Sequence, residues 1–298
     1  MSLRLSLKVY PRLEDEDFKV LAAIELGMSS HAYTPIDYVA KLSGLHEKEL
    51  SYRLRKLNKL KVILSSRSPQ PSFAINSIAY DCLALRSLVK SGVIEAIGSP
   101  LAEGKESDVY LGLSSDGAKL VLKFLRIGRI SFRQTRRLRS YIEQRDHISW
   151  LYQCRLAAFK EYEAISSLYK LGIKVPKPIA YNRHLLVSSF FDGIELAFCR
   201  ELEQPDKILA DILDEVRRVY MEAYMIHCDL NQYNVLVSSE GDICIIDWPQ
   251  YITSSHPEAL NYLKRDIRNI SSFFRRKYDI HLDIDRAVNY VTGLSSTL

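Results

Sequence analysis

The residues best suited to chemistry lie in one stretch, 226–250, with the sequence IHCDLNQYNVLVSSEGDICIIDWPQ. Asp229 and Asn234 stand five positions apart, and Asp247 directly follows the second of two short apolar runs. These runs flank the polar turn 238–242, which predicts a β-hairpin that folds Asp247 back beside Asp229 and Asn234. Two carboxylates and a carboxamide around one small space are oxygen ligands of the kind that suit Mg²⁺, which commonly shares substrate phosphates.

The spacing of these residues matches the machinery of phosphoryl transfer from ATP. A protein-kinase catalytic loop has the pattern His-Arg-Asp-x-x-x-x-Asn, and an Asp-Phe-Gly motif follows it. Here the pattern is His227-Cys-Asp229-x-x-x-x-Asn234, followed by Asp247-Trp-Pro. Any one of these residues alone would fit a hairpin with a polar turn. Their combination favours a kinase-type nucleotide site.

A lysine in an apolar strand is the second candidate for chemistry. The run Lys119–Leu125 predicts a strand with Lys123 in its middle, where a buried ammonium is costly unless it meets an anion. The strand follows a loop that contains Gly104, so we expect nucleotide phosphates and one acidic residue from a helix as partners. In the next predicted helix, Glu161 and Glu163 point about 200° apart, so only one can reach the lysine, and we expect Glu161. The alternative is a lysine that extends to water from an edge strand.

The first part of the chain predicts a small helical domain. Apolar periodicity predicts helices over 13–26, 36–42 and 47–60, and the segment 62–75 predicts two short strands around a Pro/Ser turn. This order describes a winged helix-turn-helix, which we place at residues 1–79. Five basic residues on the third helix and just after it suggest contact with nucleic acid: Arg53, Arg55, Lys56, Lys59 and Lys61. A solvated basic face and a protein-docking unit are the alternatives.

A helix predicted over 80–97 links this domain to a second one at 98–298. The N-lobe of the second domain would cover about 98–191 and its C-lobe about 192–298. After Asp247 the sequence shows neither an activation segment nor an Ala-Pro-Glu motif. The chemistry is therefore kinase-like, but the surface with which protein kinases bind a peptide is missing.

The composition is that of an ordinary globular protein. The chain has 298 residues, which fits two domains, and 47% of them are hydrophobic and 26% charged. Its five cysteines include no C-x-x-C pair, which argues against a zinc site and for buried thiols in a reducing compartment. The sequence shows no signal peptide and no segment long enough to span a membrane. We therefore expect a cytoplasmic protein that does not contact membranes.

The net charge of +5 is distributed unevenly. The stretch Arg126–Lys160 has nine basic and two acidic residues, a net charge of +7, with Phe132, Tyr141 and Trp150 interleaved. Such a segment suggests a surface that binds an RNA backbone and stacks on bases. A solvated helical face or a mobile loop is the alternative.

Several motifs together resemble the RIO family of atypical protein kinases, and in particular its second type in archaeal form. They are GKESDVY (104–110), Lys123 with RIGRISFR (126–133), VPKPIAYNRH (175–184), IHCDLNQYN (226–234), IDWPQ (246–250) and SSHP (254–257). The resemblance covers nearly the whole chain, because that type also carries an N-terminal winged helix.

The resemblance implies an α+β chain in which a winged helix-turn-helix precedes a trimmed two-lobed kinase domain that uses ATP and Mg²⁺. It implies an atypical serine/threonine kinase or ATPase that phosphorylates itself. It also implies a role in maturation of the small ribosomal subunit, with contact to the precursor's RNA and proteins. In that role the protein would act more as an ATPase-driven switch than on peptide substrates.

The resemblance also implies roles for residues around the nucleotide. Lys123 would hold the α- and β-phosphates, and Glu161 would orient it. Three residues of one loop would lie over the triphosphate: Gly104, Lys105 and Ser107. The backbone at Ser189 and Phe191 would meet adenine.

By the same resemblance, Asn234 and Asp247 would bind the metal, and Asp229 would be the catalytic aspartate. Asp247 is also a candidate for transient conversion to an aspartyl-phosphate. The chain departs from the family's pattern at Ala102, where a glycine is usual, and at the hinge pair 188–189, where two serines replace larger residues. The first departure lies in the phosphate loop, and the second lies at the expected adenine pocket.

Two other functions compete with a RIO-type kinase or ATPase. One is a nucleotide-gated assembly factor that binds pre-ribosomal RNA and for which catalysis is incidental. The other is a winged-helix transcription regulator with a degenerate kinase domain. The complete set of Lys, Glu, Asp, Asn and Asp argues against the last of these.

Overall fold

The structure is a computed structural model that describes residues 3–68, 70–104, 106–126 and 150–297. Within these residues the chain forms an N-terminal helical domain, a five-stranded antiparallel sheet and a C-terminal helical lobe that carries the short strands of the site. This mixture of helices and sheets is the predicted α+β class.

The N-terminal domain has the elements that the sequence predicts, preceded by one further helix. Its helices are α1 (Leu3–Val9), α2 (Asp15–Gly27), α3 (Ile36–Ser43), α4 (Glu47–Lys59) and α5 (Ser77–Lys90). Its strands are β1 (Thr34–Pro35), β2 (Ile63–Ser66) and β3 (Ser72–Ile75), which form an antiparallel sheet in the order β1-β3-β2. Helices α2 to α4 lie within two residues of the predicted bounds.

Helix α5 belongs to two hydrophobic cores at once. It begins at Asn76, whose side chain accepts hydrogen bonds from the amides of the first turn. Its first half packs in the core of the N-terminal domain, and its second half packs on the five-stranded sheet. The helix predicted over 80–97 is therefore misplaced. Helix α5 ends at Lys90, because Gly92 adopts a φ of 72°. The chain then continues as a strand from Ala96.

The five-stranded sheet separates the N-terminal domain from the candidate site. Its strands are β4 (Ala96–Glu103), β5 (Ser107–Leu113), β6 (Lys119–Leu125), β7 (Pro178–Asn182) and β8 (Leu185–Ser189), in the order β4-β5-β6-β8-β7. In β6, Leu120, Leu122 and Phe124 are buried in the core shared with α1 and α5. Because side chains alternate along a strand, Lys123 projects from the opposite face, toward helix α6 (Trp150–Lys170).

The C-terminal lobe holds the hairpin that the sequence predicts. Its helices are α7 (Pro205–Glu222), α8 (Ala259–Tyr278) and α9 (Ile284–Val291). Its strands are β9 (Ile194–Glu195), β10 (Met225–Ile226), β11 (Val235–Val237), β12 (Ile243–Ile245) and β13 (Ile252–Thr253). Strands β11 and β12 pair antiparallel, with Val235 opposite Ile245. This pairing confirms the predicted hairpin.

Two predictions from composition can be compared with the described residues. All five cysteines are buried as free thiols, as the sequence suggested. Among the residues that the structure covers, no helix combines the length and the apolar character needed to cross a bilayer.

Candidate active site

The β11–β12 hairpin brings the three predicted catalytic and metal-binding residues together. The Asn234 side-chain amide donates to the Asp229 carbonyl at 2.8 Å, which closes the loop between them. The Ile246 amide donates to the Asn234 carbonyl at 3.0 Å and brings Asp247 alongside. Asp247 has a φ of 71°, an uncommon conformation for a residue with a side chain. Such backbone strain is often found at functional sites.

Lys123 joins this group across the cleft. Its Nζ donates to Glu161 Oε1 and to Asp247 Oδ1, both at 2.6 Å. The Lys123 side chain is 13% exposed and that of Asp247 is 40% exposed, so solvent reaches the pair from the aspartate side. Burial alone would lower the pKa of Lys123, but the charges of Asp247 and Glu161 outweigh it and raise the pKa. The lysine is therefore a fixed cation in the site. Of the two candidate glutamates, Glu161 is the one that contacts it.

Among the residues that the structure describes, the site contains more carboxylates than cations: Asp229, Asp247 and Glu161 lie near a single lysine, Lys123. Burial raises the pKa of Asp229, and the negative charge of Asp247 raises it further. Burial likewise raises the pKa of Glu161, whose Oε2 is buried without a hydrogen-bond partner. Oxygen donors that repel one another in this way fit a divalent cation. The described residues contain no cluster of three His, Cys, Asp or Glu side chains suited to a metal. Mg²⁺ takes few protein ligands and shares substrate phosphates.

Asp266 of helix α8 accepts hydrogen bonds from the backbone of the loop that carries Asp229. It is 1% exposed, and its two oxygens accept hydrogen bonds from the amides of Cys228 at 2.8 Å and Leu230 at 3.2 Å. These two amides flank Asp229, so the buried carboxylate fixes the backbone on both sides of it. Burial raises the pKa of Asp266 to about 7. Sequence patterns could not identify this contact, because Cys228 and Leu230 lie 38 and 36 residues before Asp266.

His227 and Trp248 anchor the loop to the strand that precedes Asp247. His227 Nε2 lies 2.9 Å from the Ile246 carbonyl, and its ring centroid lies 4.4 Å from that of Trp248. Burial lowers the pKa of His227, so the ring is neutral and donates from Nε2. Trp248 is 1% exposed, and its indole donates to the Ile245 carbonyl at 3.1 Å. The aromatic residue of the Asp-Trp-Pro motif is therefore part of the core beneath the site.

The loop expected over the triphosphate joins β4 to β5. The Gly104 amide donates to the Ser107 carbonyl at 2.8 Å, and a Cβ at Gly104 would lie 3.3 Å from that same oxygen. Ser107 pairs with Leu125 in the β5–β6 ladder, and Lys123 lies two residues before Leu125 on that strand. The sheet register thus places the loop at the same end of β6 as the lysine. Lys105 lies outside the described residues.

The segment after β8 is the expected place for adenine. The Ser189 amide donates to the Lys177 carbonyl at 2.9 Å, and the Phe191 carbonyl accepts from the Gly193 amide at 3.0 Å. These bonds occupy the Ser189 N–H and engage the Phe191 carbonyl. Backbone contacts with a base would therefore come from the Ser189 carbonyl and the Phe191 amide. The roles predicted for both residues stay predictions.

The first residue of the basic stretch predicted to bind RNA is not on the surface. Arg126 is 2% exposed and forms ion pairs with Asp81 and Asp108, so it is a buried structural residue. Residues 127–149 lie outside the described part of the chain. Of the basic residues at the far end of the stretch, Arg155 is exposed, and Lys160 lies over the Tyr251 ring at 4.7 Å from its centroid.

Two basic residues of helix α4 are also structural. The Arg53 side chain is buried and donates to Glu14 at 2.7 Å, and Lys56 donates to Asp17 at 2.6 Å. Sequence patterns could not find these pairs, because the acidic residues lie at the start of α2. The other three of the five basic residues predicted to contact nucleic acid are exposed: Arg55, Lys59 and Lys61. Any nucleic-acid surface on this helix is smaller than the sequence suggested.

A lysine paired with a helical glutamate, above a loop aspartate, an asparagine and a strand-end aspartate, defines a protein-kinase-like domain. Residues 108–287 match the family model described as the RIO domain, and residues 10–91 match the model described as Rio2, N-terminal. The chain therefore belongs to the RIO family of serine/threonine-protein kinases, in its Rio2 type.

Similar proteins span archaea and eukaryotes. The RIO-type serine/threonine-protein kinase Rio2 of Methanocaldococcus jannaschii is 38% identical over 89% of this chain and 100% of its own length. The serine/threonine-protein kinase rio2 of Dictyostelium discoideum is 34% identical over 93% of this chain, which spans 53% of that protein. The crystal structure of the Rio2 kinase-ADP/Mg²⁺-phosphoaspartate complex from Chaetomium thermophilum matches with a TM-score of 0.83 at 28% identity. That match covers 99% of this chain and 94% of the other.

Proposed function

We propose that this chain is an ATP- and Mg²⁺-dependent serine/threonine kinase and ATPase of the RIO type. One observation carries the proposal: Lys123 bridges Glu161 and Asp247 at 2.6 Å beside Asp229 and Asn234. A cationic anchor for phosphates thus lies next to two carboxylates and an amide. Each group that phosphoryl transfer needs from the protein is present in one cleft.

Each residue would have a distinct role in this reaction. Lys123, held by Glu161, would contact the α- and β-phosphates. Asn234 and Asp247 would hold Mg²⁺, which would neutralise the charge of the phosphate oxygens. Asp229 would accept the proton of the attacking hydroxyl, and its raised pKa suits such a base.

An aspartyl-phosphate at Asp247 is part of the proposal. An Asp247 oxygen would attack the γ-phosphorus while the bond to the β–γ bridging oxygen breaks, so that ADP leaves. Attack of water on the acyl phosphate would then return the carboxylate and release phosphate. Support comes from the Chaetomium thermophilum relative, which was crystallised as an ADP/Mg²⁺-phosphoaspartate complex. The 40% exposure of the Asp247 side chain leaves it accessible to a nucleotide.

The experiment is ATP turnover by the Asp229→Asn and Asp247→Asn variants. Each removes a carboxylate with little change in shape, and we expect each to lose at least about a hundredfold in kcat. Asp116→Asn is the matched control, because Asp116 lies exposed in the β5–β6 turn. The Asp247 variant should also lose any acid-stable, hydroxylamine-sensitive label from γ-³²P-ATP. Turnover that survives both substitutions would refute the proposal.

We further propose that the protein acts in cytoplasmic maturation of the small ribosomal subunit, in contact with its precursor RNA. Support comes from the exposed basic residues on and after helix α4: Arg55, Lys59 and Lys61. Exposed Tyr52 lies on the same helix and offers a ring for stacking. Replacing the three basic residues with alanine should weaken binding of precursor RNA and reduce its salt dependence, measured by filter binding at several salt concentrations. Unchanged affinity would rule out this face.

A further inference from the structure

A buried ion-pair network connects the N-terminal domain to the strand that carries the nucleotide loop. Arg126 donates to both oxygens of Asp81, from Nη1 at 2.6 Å and from Nη2 at 2.8 Å. Its Nε donates to Asp108 Oδ2 at 3.1 Å. All three residues are 2% exposed. Asp81 belongs to helix α5 and Asp108 to strand β5, so one guanidinium connects two domains.

The network reaches the loop through the backbone as well. The Arg126 amide donates to the Glu106 carbonyl at 2.6 Å, and Arg126 directly follows strand β6. Asp108 is the second residue of β5 and lies four positions after Gly104. Arg126 therefore holds the outgoing side of the loop at two points, one on the backbone and one on a side chain. Lys123 lies three positions before Arg126, within strand β6.

The surroundings of Asp81 hold it as an anion in one orientation. Ser6 of helix α1 donates to Asp81 Oδ2 at 2.5 Å, and His184 Nε2 lies 2.8 Å from Oδ1. Burial lowers the pKa of His184, and its Nε2 also lies 2.9 Å from Arg126 Nη1, so the ring contacts both members of the ion pair. Burial opposes ionisation of Asp81, but the charge of Arg126 outweighs it and lowers the pKa to about 2. The His184 ring also stacks on Tyr80 at 4.8 Å between centroids.

We propose that Asp81 of the N-terminal domain is a positioning residue for ATP, acting through Arg126 on the loop that begins at Gly104. The inference rests on the proposed function and extends it. The fixed carboxylate orients the guanidinium, and the guanidinium holds Glu106 and Asp108 where the loop can cover the phosphates. Rigid placement of such contacts governs nucleotide binding more than the subsequent transfer step, because Asp81 touches neither Asp229 nor Asp247. The N-terminal domain is then part of the nucleotide site and not only a docking unit.

The test is the Asp81→Asn variant, which keeps the shape of the side chain and removes its charge. Glu25→Gln is the matched control, because Glu25 of α2 also bridges the two domains, to Arg183 at 2.5 Å, without contacting Arg126. ATP affinity is measured by calorimetry, and KM and kcat by turnover at saturating Mg²⁺. We expect the ATP dissociation constant and KM of Asp81→Asn to rise at least about fivefold with kcat within about twofold. Glu25→Gln should change each by less than about twofold.

A second variant separates positioning from mere attachment of the domains. Asp108→Asn removes the carboxylate on the loop side and leaves the pair between Arg126 and Asp81 in place. Asp108→Asn should also raise KM for ATP at least about fivefold. It therefore tests the inference even if Asp81→Asn folds poorly. Equal ATP affinities for the unsubstituted protein and both variants would overturn the inference alone, as would a fall in kcat at constant KM. Absence of ATP binding by the unsubstituted protein would overturn the proposed function and the inference with it.

Discussion

Replacing Asp266 with asparagine should uncouple the catalytic loop from helix α8. The carboxylate accepts from the amides on both sides of Asp229, those of Cys228 and Leu230. An asparagine offers one oxygen, so one of these buried amides would face an NH₂ group. At about pH 8 the Asp266 carboxylate is ionised, and a hydrogen bond to a charged group contributes about 1.5–3 kcal/mol, so kcat at that pH should fall roughly tenfold to a hundredfold. ATP affinity should stay within about twofold, because Asp266 contacts the loop backbone and, at 4.0 Å, the Arg265 side chain.

The contribution of Asp266 to the free energy of unfolding should depend on pH. The pKa of Asp266 is raised to about 7, chiefly by burial, while an unfolded aspartate titrates near 3.9. Between these values the folded state binds the proton and the unfolded state does not. The stabilising contribution is therefore complete below about pH 4 and is lost as pH rises to about 7. Three pH units at 1.36 kcal/mol each make about 4 kcal/mol in all, of which about 2 is lost above about pH 5.5.

Urea unfolding of the protein and of Asp266→Asn at about pH 5.5 and about pH 7.5 measures this difference. The advantage of the unsubstituted protein should shrink by about 2 kcal/mol between the two values. Asp285→Asn is the control, because Asp285 also pairs with helix α8, through Lys264 at 2.5 Å, but its side chain is 79% exposed. An advantage that stays constant or grows with pH would show that Asp266 is ionised throughout, and would refute the reasoning.

Two further predictions concern the nucleotide and metal contacts. Gly193→Ala should weaken ATP binding several-fold in calorimetry, because a Cβ there would lie 2.6 Å from the Phe191 ring and 2.8 Å from the Val237 carbonyl. Gly98→Ala, whose Cβ would meet its neighbours at 3.5 Å, is the control that should bind normally. Lys123→Met should tighten Mn²⁺ binding in the absence of nucleotide, measured by electron paramagnetic resonance, because it removes a cation from Asp247. The same variant should lose ATP affinity, and weaker Mn²⁺ binding would contradict the electrostatic argument.

The parts of the site that the sequence predicts are those whose determinants are local. The hairpin at 235–245 follows from two apolar runs around a polar turn, and it places Asp247 beside Asn234. The angle between helical residues showed that only one of Glu161 and Glu163 can reach Lys123, and the structure identifies that residue as Glu161. Periodicity and spacing thus predicted the hairpin and narrowed the lysine's partner to two residues.

The parts that the sequence misses depend on partners far away along the chain. Arg126 looked like the start of an RNA-binding run, but its carboxylate on α5 lies 45 residues earlier. Arg53 looked like part of a nucleic-acid surface, but it pairs with Asp17, 36 residues earlier. Composition counts a buried arginine and an exposed one alike. Only the packing of α2 and α5 decides which arginines are available to a ligand.

The contact between Lys123 and Asp247 links nucleotide binding to metal binding. The Lys123 ammonium has three N–H donors, and Glu161 and Asp247 take two of them, so contact with both the α- and the β-phosphate requires the release of Asp247. Phosphates that attract Lys123 would therefore leave the Asp247 carboxylate without a neighbouring cation, and Mg²⁺ would compensate that charge. Conversely, a metal at Asp247 would release the lysine for the phosphates, while Glu161 would keep it oriented. ATP and Mg²⁺ should accordingly bind with positive cooperativity, because each ligand removes a contact that opposes the other.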